Sequence, residues 1–138
     1  IAAWDRNRPS NLRDLIARVN RVRRENPALQ RTENIRFAET DSEYVLAYLK
    51  WDHDRENVLL ITVNLDPFHE RETNLRLPLE ELGLSTEKPY LLHDLLGDEK
   101  HVWTGEWNRI GLNPHVLPAR ILRLHIRMRR EQDFDYFM

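Results

Sequence analysis

The stretch VLLITVNLDPFHERETNLRLPL, residues 58–79, decides the fold class. Its first eight residues form a nearly continuous apolar run, which is typical of a central β-strand covered on both faces. Asp66-Pro67 predicts a turn, because Asp accepts hydrogen bonds from nearby backbone N–H groups and Pro pre-sets φ. Beyond the turn, Leu75, Leu77 and Leu79 occupy alternate positions. The stretch therefore predicts two successive strands joined by a turn.

Short segments of the same character lie on both sides of this stretch. They are rich in β-branched and aromatic residues, and turn signals separate them at spacings of roughly 10 to 15 residues. They are NIRFAE (34–39), EYVLAYLKW (43–51), YLLHDLLG (90–97), KHVWTGEWNRIGLNP (100–114) and ARILRLHI (119–126). Seven or eight strands in this arrangement predict a mainly β fold, an antiparallel β-sandwich.

One amphipathic helix is predicted before the strands, within RPSNLRDLIARVNRVRRENP, residues 8–27. Its apolar residues recur at i, i+3, i+4, i+7 and i+10, and Pro27 ends the pattern. A lone apolar stripe has to be buried, either on the sandwich or against a preceding domain. The predicted domain-docking residues are those of the stripe: Leu12, Leu15, Ile16, Val19 and Val22.

Composition excludes several classes of function. The chain has 138 residues, enough for one domain, and its net charge of −2 gives no electrostatic argument for binding nucleic acid or an anionic membrane. It has no cysteine, which excludes disulfides, thiolate nucleophiles and cysteine zinc sites and is compatible with the cytosol. No apolar run approaches the length of a membrane span. Because the sequence begins with Ile1, we expect it to be processed or cut from a longer protein.

Two clusters of polar residues resemble catalytic or metal sites. Asp66, His69, Glu70 and Glu72 lie within seven positions, but they are adjacent in a turn, whereas metal ligands converge from several elements. His93-Asp94 is similar to the doublet of metal-dependent phosphohydrolases but lies in or at the end of a predicted strand. We interpret both clusters as structural. Because phosphate-binding loops and nucleophile elbows are also absent, we predict no catalytic residue, metal site or cofactor in this chain.

Tryptophans are the candidate ligand-binding residues. Trp51, Trp103 and Trp107 could stack on sugar rings; the alternative is that they fill the core or cover a joint to another domain. Trp103 and Trp107 flank Gly105 in a hairpin-like segment, so they are predicted to be the exposed pair and the candidate carbohydrate-binding residues.

The order of several motifs resembles the C-terminal end of α-amylase-superfamily enzymes. The motifs are RRENPAL (23–29), VLLITVNL (58–65), DLLG (94–97) and PARILRL (118–124). Within the superfamily, the chain most resembles the family of maltosyltransferases that extend α-1,4-glucans from α-maltose 1-phosphate. That likeness rests on residues 4–29, VNLDPFHERE (63–72), LPLEELGL (77–84) and EQDFDYF (131–137).

The resemblance implies a C-terminal domain whose active site lies elsewhere. In that family an Asp nucleophile and a Glu acid/base perform retaining maltosyl transfer on a preceding (β/α)₈ barrel. We therefore expect residues 1–27 to be the last barrel helix, 28–127 a non-catalytic C-terminal β-sandwich, and 128–138 a tail. The implied partners are the protein's own catalytic barrel and, through the parent enzyme, α-glucan and maltose 1-phosphate. A cytoplasmic, homodimeric parent is also expected.

Two other functions stay open. The sandwich could be a carbohydrate-binding module that uses Trp103 and Trp107. It could also be the C-terminal domain of another α-amylase-family hydrolase or of a trehalose-forming enzyme.

Overall fold

The structure is a computed structural model that describes residues 9–30, 33–53 and 56–125, with side chains from residue 14 onward. Helix α1 (Pro9–Glu25) ends just before Pro27, as predicted, and a 3-10 helix η1 (Pro27–Gln30) follows it. Nine strands complete the described part of the chain. They are β1 (Ile35–Phe37), β2 (Glu39–Thr40), β3 (Val45–Trp51), β4 (Val58–Asn64), β5 (Arg71–Arg76), β6 (Tyr90–Asp94), β7 (Glu99–Trp103), β8 (Trp107–Leu112) and β9 (Ala119–His125).

The strands form two antiparallel sheets. The larger sheet has the order β1-β3-β4-β9-β6-β7 and the smaller one the order β2-β5-β8. Both strands of the stretch that predicted the fold are present, and they lie in different sheets, β4 in the larger and β5 in the smaller. The predicted mainly β, antiparallel architecture with one preceding helix is confirmed.

Strand β4 lies in the middle of the larger sheet, paired with β3 and β9. Val58 and Leu60 face the smaller sheet and belong to the main core, whereas Leu59 and Ile61 point to the opposite side and pack against η1. Both faces of β4 are therefore covered, which explains why its sequence is apolar without alternation.

The main core lies between the two sheets. The smaller sheet and its extension contribute Leu75, Leu77, Leu79 and Ile110, all buried against residues of the larger sheet. The alternation of the three leucines therefore predicted one buried face correctly. The alternation continues past the end of β5, because Leu77 and Leu79 stay buried as the chain enters the turn that ends at Gly83.

Three buried asparagines join α1 and η1 to the sandwich. The Asn57 side chain accepts a hydrogen bond from Ala28 N–H (3.1 Å) and donates one to Asn26 Oδ1 (2.9 Å). Asn34 Nδ2 donates to the carbonyl oxygens of Ala28 (3.0 Å) and Trp51. These amides satisfy backbone groups that the helix ends leave open, and they fix where the helical segment meets the β3–β4 connection.

The helices in the described part of the chain are too short or too polar to span a bilayer. The predicted tail at 128–138 lies outside the described residues, as does the start of the predicted helical segment at 1–8.

Candidate functional site

The Asp66 cluster is a hydrogen-bonded turn. The Asp66 carboxylate accepts hydrogen bonds from the backbone N–H groups of Phe68 (2.9 Å) and His69 (3.3 Å), from Arg71 Nη2 (2.6 Å) and from His69 Nδ1 (3.0 Å). The Phe68 N–H group, followed by Arg71 and His69, holds the pKa of Asp66 far below its usual range. The carboxylate is thus ionised and fully engaged in closing the turn.

The other acidic residues of this stretch do not converge on Asp66. Glu70 is exposed, and Glu72 lies on β5, where it accepts a hydrogen bond from Arg109 Nε of β8 at 3.0 Å. Within the part of the chain that the structure describes, no group of three His, Asp or Glu side chains is placed to hold a metal ion. The interpretation of residues 66–72 as a turn leading into the next strand agrees with this geometry.

Asp94 closes a second turn. Its Oδ1 accepts hydrogen bonds from Leu96 N–H and Gly97 N–H, both at 3.0 Å, and its Oδ2 accepts one from Arg120 Nη1 at 2.8 Å. Asp94 is fully buried, while the neighbouring His93 bonds Asp98 at 2.8 Å on the surface. The two members of the doublet therefore point to different environments and do not form one site.

The two candidate tryptophans lie in different sheets. Trp103 ends β7 at one edge of the larger sheet, and Trp107 begins β8 at one edge of the smaller sheet. The chain crosses between the sheets at Gly105, where φ is +78°. The expectation of a hairpin-like segment with two exposed tryptophans was therefore wrong, because neighbours in sequence pair with different strands on either side of the crossing.

Trp103 is a core residue. It is only 8% exposed and makes an edge-to-face contact with Tyr90, with ring centroids 6.5 Å apart. The Tyr90 hydroxyl donates a hydrogen bond to the Gly105 carbonyl oxygen (2.8 Å) and accepts one from Asn108 Nδ2 (3.2 Å). Burial raises the pKa of Tyr90 to about 12. Trp103 and Tyr90 thus fix the crossing between the sheets, and Trp103 has no surface for a sugar.

Trp107 is 51% exposed and lies on the outer face of the smaller sheet. Its cross-strand neighbour on that face is Arg76, whose own neighbour on β2 is Glu39. We call these three residues, Glu39, Arg76 and Trp107, the Trp107 row. Arg76 is held by Glu39 and Glu106, each through a contact of 3.4 Å. The polar members of this row were not predicted from the sequence, although the alternation of β5 could have placed Arg76 on the outer face.

The helix stripe is only partly covered. Val22 is buried and Leu15 and Val19 are half-buried, but Ile16 is 52% exposed. The side chain of Leu12 lies outside the described residues. Within the described residues, the sandwich therefore does not bury the whole predicted stripe.

The larger sheet also carries an exposed apolar surface, on the side to which η1 is bound. We call it the outer apolar face. At its β1 edge, Phe37 is 67% exposed and contacts the half-buried Tyr48, with ring centroids 6.1 Å apart. The face consists of Ile35, Phe37, Leu46, Tyr48 and Val63, which share one side of β1, β3 and β4. Tyr48 and Val63 are half-buried against the cluster that Ala28 of η1 forms with Leu59 and Ile61, so the open part of this face consists of Ile35, Phe37 and Leu46.

Residues 37–124 match the family described as "GLGE, C-terminal". A relative from Methylacidiphilum infernorum (isolate V4), named alpha-1,4-glucan:maltose-1-phosphate maltosyltransferase, is 43% identical over 127 residues, which are 90% of this chain and 18% of the relative. A relative of the same name from Myxococcus xanthus is 38% identical over 137 residues, 99% of this chain and 20% of the relative. The chain thus spans about a fifth of the length of these curated relatives.

Solved structures show the same fold at low sequence identity. The maltogenic alpha-amylase AmyB from Thermotoga neapolitana matches with a TM-score of 0.61 and 14% identity, over 83% of this chain and 25% of that chain. An alpha-amylase from Anoxybacillus matches with a TM-score of 0.58 and 17% identity, over 85% of this chain and 23% of that chain. In both cases a sandwich of this kind is one part of a much longer chain.

Proposed function

The chain belongs to the family of GlgE C-terminal domains, and from that premise we propose that it is the non-catalytic C-terminal domain of an α-1,4-glucan:maltose-1-phosphate maltosyltransferase. Its role is to dock on the catalytic barrel of its own protein and to stabilise it. The observation that carries this role is the outer apolar face, which the described part of the chain leaves open on the side where α1 and η1 join the sandwich.

The hydrogen bonds made by the buried carboxylates support a non-catalytic role. A glycosidase-type mechanism needs two carboxyl groups that flank a substrate, one as nucleophile or base and one as acid. Asp66 and Asp94 are buried, but each is saturated by backbone N–H groups of its own turn and by an arginine, which is Arg71 for Asp66 and Arg120 of β9 for Asp94. The hydrogen bonds that hold these turns therefore leave neither carboxylate available to attack a sugar or to transfer a proton.

The outer apolar face has the character of a domain interface. Phe37 and Ile35 lie on an edge strand and are exposed together with Leu46, and contiguous apolar patches on a soluble domain mark contact surfaces. Helix α1 leads through η1 onto this same side of the larger sheet, which is therefore the side on which a domain preceding α1 in a longer protein would join the sandwich. Ile16, exposed on α1, adds an apolar contact for the same neighbour.

The names of the relatives favour this enzyme over the other open alternatives. The relatives from Methylacidiphilum infernorum and Myxococcus xanthus carry the maltosyltransferase name at 43% and 38% identity. The amylase structures, at 14% and 17% identity, support the fold but give no reason to assign hydrolysis. Maltose 1-phosphate as donor and α-1,4-glucan as acceptor are thus the proposed substrates of the parent enzyme.

Docking is tested by Phe37→Ala, made both in the 138-residue chain and in the full-length parent. In the chain the side chain is already exposed, so the free energy of unfolding should change by less than about 0.5 kcal/mol. In the parent, truncation of a phenylalanine buried in an interface should cost about 3 kcal/mol or more and shorten the half-life of transferase activity on heating. The control is Trp107→Ala, on the opposite sheet, which should leave that half-life unchanged. Equal half-lives for the Phe37→Ala and unmodified parents would rule out docking through this face.

A transfer assay tests the proposal that the chain alone is non-catalytic. The purified 138-residue chain, incubated with maltose 1-phosphate and maltoheptaose, should release no phosphate, while the full-length parent should release it and lengthen the glucan. Turnover by the chain alone would contradict the non-catalytic role.

A further inference from the structure

We propose that the Trp107 row is a surface site for α-1,4-glucan, separate from the active site of the parent enzyme. The choice of glucan as ligand rests on the proposed function, whereas the location of the site rests on geometry alone. Trp107 presents its ring on the outer face of the smaller sheet, whereas the outer apolar face lies on the other side of the larger sheet. The two surfaces approach each other at the β1–β2 edge, where Phe37 lines a cleft with Glu39 and Arg76, but Trp107 does not line this cleft. Docking through the outer apolar face therefore leaves Trp107 open to solvent.

The surroundings of Trp107 fit a sugar better than a protein partner. The outward residues around the indole are polar and already placed by contacts among themselves: Arg76 lies between Glu39 and Glu106, and Arg109 is bonded to Glu72. A protein interface usually needs a larger apolar centre than one side chain. A pyranose ring needs one aromatic platform for its C–H face and hydrogen-bonding groups at its rim for its hydroxyls, which is the pattern present here.

The row is also built rigidly, which lowers the entropic cost of binding. Trp107 lies directly across from Arg76 in a regular antiparallel ladder. Arg76 also lines a cleft of about 230 Å³ with Glu39, Glu106 and Phe37, and Trp107 lies outside this cleft. A sugar stacked on the indole would therefore have beside it the Arg76 guanidinium, which the Glu39 and Glu106 carboxylates hold in place. Guanidinium and carboxylate groups supply the donors and acceptors that sugar hydroxyls require.

Next to the row, Asp41 fixes the position of Asn74 on the same face. Its carboxylate accepts hydrogen bonds from the Asn74 backbone N–H and side-chain amide, both at 2.8 Å, which lowers the pKa of Asp41. On the next row along β8, Gly111 keeps the surface low beside Glu72. The face is thus polar apart from Trp107, with Asn74 and the Glu72–Arg109 pair beside the row as hydrogen-bonding groups for further sugars.

Isothermal titration of the 138-residue chain with maltoheptaose tests the site, with cellohexaose as the β-linked comparison. We expect saturable binding of maltoheptaose. Trp107→Ala should weaken the affinity about tenfold or more, which is the effect typical of removing an aromatic anchor residue. Arg76→Ala should weaken binding less. The matched control is Phe68→Ala, which removes an exposed aromatic ring outside the row and should leave the affinity unchanged. Thermal unfolding of each variant confirms that it is folded.

Absence of saturable binding, or equal affinity of the Trp107→Ala variant, would overturn the proposal. Equal affinity for cellohexaose would overturn the assignment to α-linked glucan. Because this binding is measured without the catalytic domain, an absence of maltoheptaose binding would not bear on the docking proposal. Conversely, equal half-lives for the Phe37→Ala and unmodified parents would reject docking through the outer apolar face, and the binding isotherm of the chain would still test the Trp107 row.

Discussion

Asn57→Ala is expected to be among the most destabilising polar substitutions in the described part of the chain. Asn57 immediately precedes the apolar strand β4, and its side chain reaches the junction between α1 and η1. It accepts a hydrogen bond from Ala28 N–H at 3.1 Å and donates one to Asn26 Oδ1 at 2.9 Å. All three residues are buried, so alanine removes both hydrogen bonds where water has little access.

The expected loss in free energy of unfolding follows from the two polar groups that Asn57→Ala leaves without a hydrogen-bond partner. An unsatisfied buried donor or acceptor costs about 1–3 kcal/mol, so Ala28 N–H and Asn26 Oδ1 together cost about 2–6 kcal/mol. A domain of this size is stable by about 5–15 kcal/mol, so the loss is a large fraction of the total. The helical segment should loosen first, because these hydrogen bonds attach it to the β3–β4 connection.

Urea denaturation measures the effect, and hydrogen exchange locates it. With a urea m-value of about 2 kcal/mol per molar, the midpoint should fall by about 1–3 M. The Ala28 amide should lose its protection from exchange, while amides in the middle of β4 stay protected up to global unfolding. The matched control is Asn20→Ala, at an exposed position of α1, which should change stability by no more than about 0.5 kcal/mol.

Two results would refute this reasoning. A loss of stability below about 1 kcal/mol would mean that water or a rearranged partner replaces the amide. Unchanged protection of the Ala28 amide would mean that Asn57 does not hold the helical junction, whatever the global stability does.

Trp103→Ala should destabilise the chain by about 3–5 kcal/mol and Trp107→Ala by less than about 1 kcal/mol, because only the first ring fills the core; similar losses in urea denaturation would contradict the assignment to two sheets. Asp66→Asn should flatten the acid limb of the stability profile. The pKa of the Asp66 carboxyl is depressed in the folded chain, so its contribution to stability is present above the unfolded pKa of about 4 and is lost as the pH falls below that value. An unaltered acid limb between about pH 5 and pH 2 would argue against the turn as an acid-sensitive element. Tyr90→Phe should cost about 1–2 kcal/mol near neutral pH, since Gly105 and Asn108 lose a partner. Because the pKa of Tyr90 is raised to about 12, the folded state keeps a proton that the unfolded state loses, so stability should fall as the pH rises from about 10 to about 12 in the unmodified chain and less so in the phenylalanine variant.

The sequence predicted the strands well because their signals are local. A run of apolar residues, an alternation of leucines or an Asp-Pro pair acts over a few positions, and β4, β5 and the Asp66 turn lie where those patterns placed them. The helix and its end before Pro27 followed from the same kind of short-range evidence. The family assignment also came from the sequence, because the order of the short motifs is itself a property of the sequence.

The candidate site depended on information that short-range patterns do not contain. Trp103 and Trp107 are four positions apart, and their side chains differ in exposure because β7 and β8 pair with strands of different sheets. Strand partners are chosen by packing across the whole domain, so the crossing at Gly105 had no unambiguous local signature. The Trp107 row likewise joins residues from β2, β5 and β8, which are distant in sequence and become neighbours only through sheet register.

The sequence by itself thus determined the helix, most of the strands, the Asp66 turn and the family of this protein. The tertiary structure decided which side chains face each other: it buried one tryptophan and exposed the other, brought Arg76 beside Trp107, and tied Asn57 to the helical junction. The physical reason is the range of the interactions. Propensity and alternation act between near neighbours in the chain, whereas sheet pairing and burial are settled only when the two sheets close on a common core.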